Sequence, residues 1–496
     1  MMTTCAGTID AMQTMAVPTA ETFLNEIKAT IIDPLSNTTV TASDFKTLVK
    51  NELDHFKHAG LRAGRRVFLE ARSDVQFLSR FIAVMELGGI AIPFDAKGTV
   101  AEQQRLVESS RPDYRYLAGS QQLEALSQAS TEEYPLPDDV RLFLLTSGTT
   151  GTPKAVIHGV SNLKARIENG RRAIALEHRR SCLSVLPLHF GHGLIGVVLQ
   201  ALLDSEHLVL VPPDLGDPRL TSQIGKWIDA YGVTFVSGTP GTWSYITRMS
   251  SPPAAGSLRR VQMASAHATE GLQRKIREWA SGADFFNCYG MTETATWVSD
   301  RLVGDGVEPH NVGSGRNWNS VFEILSPDEN GVGEVAVTTS SQSYGYLRDW
   351  KGERQTKGRY LTGDWGRVNQ QGELLLLGRR SRIINRGGLK VSPEEIEREI
   401  MSLGIVNDAV VFGASDLNDQ RTSVDSIVGI LVLAGGVAGE TLDGPEMEKA
   451  LTQGLLKTLS SHKIPNQWLV WDSIPRRPNG KPDMVAIKAK FRQKTP

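Results

Sequence analysis

The sequence predicts an α/β fold: a large layered N-terminal region that carries a β-rich subdomain, followed by a small α+β C-terminal domain. Three observations lead there. Short apolar runs at 67–69, 90–93, 142–145, 182–186, 208–211, 233–236, 258–263 and 284–286 alternate with helical patterns, as in β-then-α units whose ligand loops lie at strand C-terminal ends. From Phe322 the texture changes to short strands at 334–337, 366–368 and 373–377. Beyond Gly378-Arg379-Arg380-Ser381 a compact mixture of strands and helices begins, and 496 residues exceed one ordinary core.

Each element has a local reason. Residues 1–60 read as helical pieces after an unstructured start. The strand at 67–69 leads to a helix over 77–87, with Phe77, Phe81, Val84 and Met85 at helical spacing and Gly88-Gly89 ending it; the strand at 90–93 then completes a βαβ unit. A helix over 102–109 and a loop over 127–139 lead to the apolar strand at 142–145. After a strand at 155–158, Ser161 is expected to cap a helix reaching Gly170. An apolar helix is expected over 194–203. In the tail, Ser392-Pro393-Glu394-Glu395 has the pattern of a capping box with proline at the first helical position, and Ile396, Ile400 and Leu403 share one helix face. Strands at 409–412, 428–433 and 468–471 and a helix over 447–460 complete it. The expected boundaries are an N-terminal region 1–378 (β-rich from about 322), a connector 379–381 and a C-terminal domain 382–496.

Composition narrows the function classes. A hydrophobic content of 40%, a charged content of 22% and a formal net charge of −1 describe a soluble globular chain with no long-range field to gather nucleic acid or an anionic membrane. Three scattered cysteines, Cys5, Cys182 and Cys288, lack metal-ligand spacing and suit a reducing compartment. With neither a secretory pattern at the start nor an apolar run of the ~20 residues that span a bilayer, cytoplasm is the expected location.

Four clusters carry chemistry. Behind the buried strand at 142–145, Thr146, Ser147, Thr149, Thr150 and Thr152 crowd a loop with Gly148, Gly151 and a closing Lys154. Successive N–H groups, hydroxyls and a lysine are what a polyphosphate needs. It is not a Walker A loop, because Pro153 precedes Lys154 and Ala155 follows it. Asn287-Cys288-Tyr289-Gly290-Met291-Thr292-Glu293 offers an aromatic face, a hydroxyl and a hard oxygen ligand suited to Mg²⁺. Tyr360-Leu361-Thr362-Gly363-Asp364 presents a carboxylate that could grip the two hydroxyls of a ribose, with Arg379 as partner. Near the C-terminus, Pro478-Asn479-Gly480-Lys481 is a polar loop with a lysine. Taken singly, Glu293 can cap a helix, Asp364 can satisfy a turn and Lys481 can be a solvated cation.

Together and in this order, from about Val67 to Lys481, these motifs resemble the adenylate-forming superfamily of acyl- and aryl-CoA synthetases, stand-alone adenylation domains and luciferases. The resemblance implies ATP-dependent activation of a carboxylic acid as an acyl-adenylate, with a C-terminal domain that is mobile. It implies that residues 146–154 hold the β- and γ-phosphates, that Thr292 contacts phosphate and Glu293 binds Mg²⁺, and that Ala266, His267, Asn287, Cys288 and Tyr289 border the adenine. Asp364 and Arg379 would hold the ribose, and Lys481 would reach the α-phosphate and the substrate carboxylate. Two departures stand out: Ser381 occupies the hinge position usually held by Asp or Lys, and the glycine pair usual beside adenine is replaced around Ser265-Ala266-His267.

The acid is expected to be small, aryl or short acyl, in a pocket drawn from His189, Phe190, Ser237, Thr239, Ala264, Ser265 and Thr294. His189 and Phe190 compete as its aromatic gate. The acidic residue that binds an α-ammonium in amino-acid-activating members is missing after Pro187. The turn Gly387-Gly388-Leu389-Lys390 resembles the loop beside which pantetheine enters in CoA ligases, so CoA is the expected acceptor. The alternatives are a separate carrier protein or a small amine, with an unusual oxyacid as substrate, and an oxygenase of luciferase type. No Gly-Gly-x-Ser carrier segment follows Lys481.

Overall fold

The computed structural model describes residues 23–97, 99–120, 122–126, 135–147, 153–265, 270–304, 307–308, 310–352, 358–382, 384–386, 389–413, 426–433, 444–476 and 482–494. Two large sheets form the N-terminal region. One has eight strands in the order Thr296–Leu302, Asp284–Met291, Arg260–Met263, Phe235–Gly238, Ser181–Ser184, His207–Leu210, Thr30–Asp33 and Thr38–Val40. Its six central strands run parallel and the edge strand at each side is antiparallel. The other has seven, in the order Gly345–Tyr346, Pro153–Gly159, Val140–Ser147, Ile90–Phe94, Arg66–Glu70, Tyr114–Tyr116 and Leu123–Ala125.

The layering follows from burial. One continuous core joins Val67, Leu142 and Leu144 of the seven-stranded sheet to Ile31, Leu208 and Phe235 of the eight-stranded one. Helices Val75–Glu86 and Val160–Ala173 contribute Phe77, Phe81, Leu163 and Ile167 to it, so they lie sandwiched between the sheets. The first of these helices is buried along nearly its whole length and starts where Asp74 accepts the Phe77 N–H at 2.7 Å. A second core covers the far face of the eight-stranded sheet with helices Ile224–Ala230, Pro240–Met249 and Glu270–Trp279. Packing a helix layer on each face is what a largely parallel sheet requires.

A four-stranded antiparallel sheet, Ser320–Leu325, Gly333–Thr339, Tyr360–Val368 and Leu374–Arg379, forms the β-rich part. The tail pairs Val406–Gly413, Ile427–Leu433 and Gln467–Val470 and packs helices Pro393–Ser402 and Gly444–Leu455 on one face.

Several local expectations change. Residues 30–40 form a strand pair, ahead of a single helix Ala42–His58. The helix expected to start at Ser161 begins at Val160, and its first turn is satisfied by Asn162, whose Oδ1 accepts the Gly159 N–H at 2.8 Å. At Ser392 the hydroxyl accepts the Glu395 N–H, but the Glu395 carboxylate turns to Lys463 Nζ at 2.7 Å and leaves the box half formed. A C-terminal helix, Met484–Lys494, adds to the expected elements and buries Ile487 and Phe491 against Phe412 and Trp471.

Candidate active site

The parallel strands Phe235–Gly238, Arg260–Met263 and Asp284–Met291 end side by side, and the candidate residues collect at those ends. Gly290 is required there: a Cβ would lie 1.9 Å from the Thr296 carbonyl oxygen. The chain then turns through Thr292–Thr294, and Ala295 (φ 51°) and Thr296 (φ 100°) hold left-handed backbone that β-branched Thr296 strongly disfavours. Strain is thus concentrated where the two halves of the site meet.

On one side, the Tyr289 hydroxyl donates to Asp364 Oδ2 at 2.5 Å. Arg379 Nε lies 2.9 Å from Oδ1 of the same carboxylate and its Nη1 donates to the Thr362 carbonyl at 3.0 Å. Register explains the pair, since Asp364 and Arg379 face each other across adjacent antiparallel strands. Gly363 (φ 70°) takes up the left-handed backbone at an irregularity inside the strand Tyr360–Val368, and Thr362 Oγ1 accepts the Asp364 N–H while donating to the Val335 carbonyl. Burial, then the Asp364 charge, raise the Tyr289 pKa well above its ordinary value, so the phenol stays a donor.

Beside it, the Tyr346 hydroxyl donates to Glu293 Oε1 at 2.6 Å and lies 2.9 Å from the Tyr360 hydroxyl. With its proton given to Glu293, Tyr346 accepts from Tyr360. Burial and then Glu293 raise both phenols, so both keep their protons. Lys154 Nζ sits 4.7 Å above the Tyr346 ring, because Tyr346 pairs with Val156 on the strand that begins at the phosphate loop. Lys154 and Glu293, far apart in sequence, are therefore brought to one place. A single hard carboxylate near Lys154 fits Mg²⁺, which would take the rest of its shell from water and a bound anionic ligand. Among the described residues no group of three or more His, Cys, Asp or Glu forms a closed metal cage.

On the other side, His192 opens a π-helical segment, His192–Leu199, that continues as helix Gln200–Asp204. Its Nε2 is 2.8 Å from Ser237 Oγ and its Nδ1 3.0 Å from Ser265 Oγ. Burial, and second the charge of Arg166, push the imidazole down to about 3, so the ring is neutral. A neutral ring has one N–H and one lone pair. One serine must donate to it and the other accept from it, which leaves the accepting serine's own proton free to donate onward. Trp297 stands edge-on to His192, 5.4 Å between ring centres, and narrows the space behind it.

The remaining expectations divide. Asn287 and Cys288 are buried, with the Cys288 thiol pushed up to about 12 by burial, then by Asp300, so it is not a thiolate. Ala264 is buried, and His189 and Phe190 are half-buried with ring centres 4.1 Å apart at the pocket's edge. Thr239 caps helix Pro240–Met249 by accepting the Thr242 N–H, and the buried Thr294 hydroxyl bonds the Met291 and Thr296 carbonyls. Thr146 Oγ1 lies 3.5 Å from the Lys154 carbonyl. Gly148, Thr149, Thr150, Gly151, Ala266, His267 and Lys481 lie outside the described residues, as does the Ser147 side chain. His192 is, with His189, one of two histidines after Pro187 whose polarity the sequence offers to a more polar anion, and Tyr360 opens the motif over 360–364 with no role of its own assigned. Tyr346 and Trp297 carry no local signal and are identified only by what they meet in space.

Comparison with known proteins agrees. The chain matches the family of AMP-binding enzymes over residues 25–347. It is 27% identical over 484 residues to the oxalate–CoA ligase of Arabidopsis thaliana, covering 88% of this chain and 90% of that protein. It is 27% identical over 500 residues to the malonate–CoA ligase of the same plant, with 88% and 80% covered. The solved structure of ATP-bound MatB from Rhodopseudomonas palustris has a TM-score of 0.76 at 20% identity, over 94% of this chain and 96% of that one, a likeness of fold. No helix among the described residues is long and apolar enough to cross a membrane. With most of the chain inside the family match, the protein belongs to the AMP-binding enzymes, the adenylate-forming superfamily of AMP-forming acid ligases.

Proposed function

We propose that the protein activates a small carboxylic acid with ATP and passes the acyl group to CoA. The observation that carries this reading is the convergence on one strand end of Asp364, held by Tyr289 and Arg379, and Glu293, held by Tyr346 beside Lys154. The acid's carboxylate oxygen attacks the α-phosphorus, the bond to the bridging oxygen breaks, and pyrophosphate leaves. The carboxylate is already a nucleophile, so the chain need only orient the groups and offset shifting negative charge. Mg²⁺ held at Glu293 supplies part of that neutralisation when bound. In the second step the CoA thiol adds to the acyl carbon, loses its proton to solvent, and AMP departs.

Asp364 takes the ribose hydroxyls and Lys154 the outer phosphates in this reading, and Lys481 comes to the α-phosphate with the tail. The connector supports a pivot. Arg380 pairs with Glu334 of the antiparallel sheet, while Arg382 pairs with Glu394 and Glu397 of the tail's first helix, so the backbone at Ser381 joins two anchored arginines. A small acid is supported by the pocket side, where the Trp297 ring packs edge-on against His192; the oxalate and malonate ligases that this chain resembles are named for small acids as well.

The test supplies the protein with ATP, Mg²⁺, CoA and a panel of acids, and follows nucleotides and thioesters by mass spectrometry. Acid-dependent AMP, pyrophosphate and acyl-CoA are expected. ADP and phosphate, or no acid-dependent AMP, would overturn the reading; AMP without thioester would move the acceptor to a carrier protein or an amine.

A further inference from the structure

Behind the pocket lies an arginine that no part of adenylation uses. Arg166, on helix Val160–Ala173, is fully buried. Its Nε donates to Thr296 Oγ1 at 2.6 Å and its Nη1 to Gln200 Oε1 at 3.1 Å, while Nη2 is buried without a hydrogen-bond partner. The guanidinium lies 5.0 Å from the ring centres of both Trp297 and Trp318, which stand at 80° to each other. Among the described residues it makes no ion pair. The carboxylate connected to it, Asp204, is reached through the Gln200 amide and already pairs with Arg171 at 2.8 Å and Arg179 at 3.0 Å. That carboxylate thus pairs directly with two other arginines and meets Arg166 only through the Gln200 amide.

A buried cation in this state is costly unless something uses its field. Between it and His192 stand Trp297 and Thr296. The Trp297 ring is edge-on to His192, and the Thr296 methyl lies 3.7 Å from where a Gly191 Cβ would be. His192 and its two serines offer only neutral donors, and among the described residues packed around them the charge nearest to His192 is that of Arg166. That the Arg166 charge reaches His192 agrees with the imidazole's lowered pKa, whose main cause is burial and whose second is this arginine.

Resting on the reading of this side as the acid pocket, we infer that Arg166 is a specificity-determining residue: its buried charge selects small acids bearing a second anionic group, a carboxylate or sulfonate, at the His192–Ser237–Ser265 end. The second anion takes its hydrogen bonds from the serine and imidazole donors and its charge compensation through Trp297. Ring spacings place Arg166 within roughly 10 Å of His192; across such a distance at an effective dielectric of about 20, the preference is on the order of tenfold. Arg166 touches no reacting atom and acts by field and by holding Thr296 and Trp297.

The experiment compares kcat/KM for oxalate, malonate and sulfoacetate with that for acetate, propionate and benzoate, in the full chain, for wild type, Arg166→Gln and Arg166→Lys. Wild type is expected to prefer the doubly anionic acids by tenfold or more, equally at 0.05 and 0.5 M salt, because a buried charge is little screened. Arg166→Gln should lose about tenfold of that ratio through the acid KM, with the ATP KM unchanged, and Arg166→Lys should keep most of it. Should Arg166→Gln fail to fold, the salt series and Arg166→Lys decide alone. A wild type without the preference, a preference abolished by salt, or an equal loss for every acid in the variants would overturn the inference. Activation of the singly charged acids in those cases leaves the proposed function intact, whereas no AMP from any acid removes that function itself.

Discussion

On the proposed nucleotide side, two carboxylates, Asp364 and Glu293, are each gripped by a tyrosine hydroxyl, with Arg379 paired to the first and Lys154 over the tyrosine that holds the second. On the proposed acid side, among the described residues, a neutral imidazole is held between two serines, and the Arg166 guanidinium lies behind Trp297. The first arrangement suits a ligand with a sugar diol and phosphates, whose hydroxyls need fixed acceptors and whose anions need metal and lysine. The second suits an anionic group that sheds its water and is held by neutral donors while the other end of the acid reacts. A charge in direct contact would hold the substrate in its ground state, while a distant one favours binding without locking the reacting carboxylate.

The largest expected break in this division comes from the tail. Lys481→Ala should reduce adenylation at least on the order of a hundredfold, the usual consequence of losing one preorganised charge at the transition state. Transfer to CoA from a chemically made acyl-adenylate should stay within a few-fold. Equal loss in the two half-reactions, each assayed separately, would place Lys481 in the fold or at the acceptor.

Next in size is Asp364→Ala. Removing an ionised acceptor from a ribose forfeits hydrogen bonds worth about 1.5–3 kcal/mol each, so the KM for ATP should rise ten- to a hundredfold with the acid KM little changed. A rise in both constants together would mean that the two sides are not independent. Smaller again is Tyr346→Phe, which takes one neutral donor from Glu293. A net hydrogen bond is worth about 1 kcal/mol, hence roughly a fivefold higher Mg²⁺ requirement in pyrophosphate release, and an unchanged titration would remove Tyr346 from the metal side.

The smallest effect is a flat line. His192 has its pKa pushed down to about 3 by burial and then Arg166, so the acid KM should show no titration near pH 6.5 from this ring. Its trace should appear in stability instead. The unfolded ring takes a proton near the ordinary value of 6.5 and the folded one only near 3, so its contribution is whole above pH 6.5 and falls away as pH drops toward 3. Buried His158, with the same direction from burial, adds to that loss. Thermal melts of wild type and His192→Asn from pH 8 to 4 measure it; a His192-dependent step in the acid KM near pH 6.5 would show that the ring titrates in the folded protein.

The two sides also differ in how far the sequence discloses them. The α/β order, the β-rich section and the phosphate and Tyr-Gly-Met-Thr-Glu motifs are legible because their parts are contiguous: a strand, its turn and the residues that follow. Asp364 and Arg379 are readable as a pair because a single hairpin separates them. The acid side has no such continuity. His192 meets Ser237 and Ser265 across 45 and 73 residues, and Arg166 meets Thr296 across 130. Thr239 and Thr294 look like pocket hydroxyls in sequence, yet both are consumed by local turns and caps, which composition alone does not reveal. A buried arginine reads in sequence as one more charge on a polar helix. Its isolation is visible only when the surrounding carboxylates are found to be engaged elsewhere.

The most direct test of acid activation as a step of its own is acid-dependent exchange of labelled pyrophosphate into ATP, measured without CoA. An enzyme that forms a bound acyl-adenylate before its acceptor arrives exchanges label when the acid is present and stops when it is withheld, and Lys481→Ala loses the exchange with it. Label that enters ATP only after CoA is added, or that enters equally without any acid, would contradict this account.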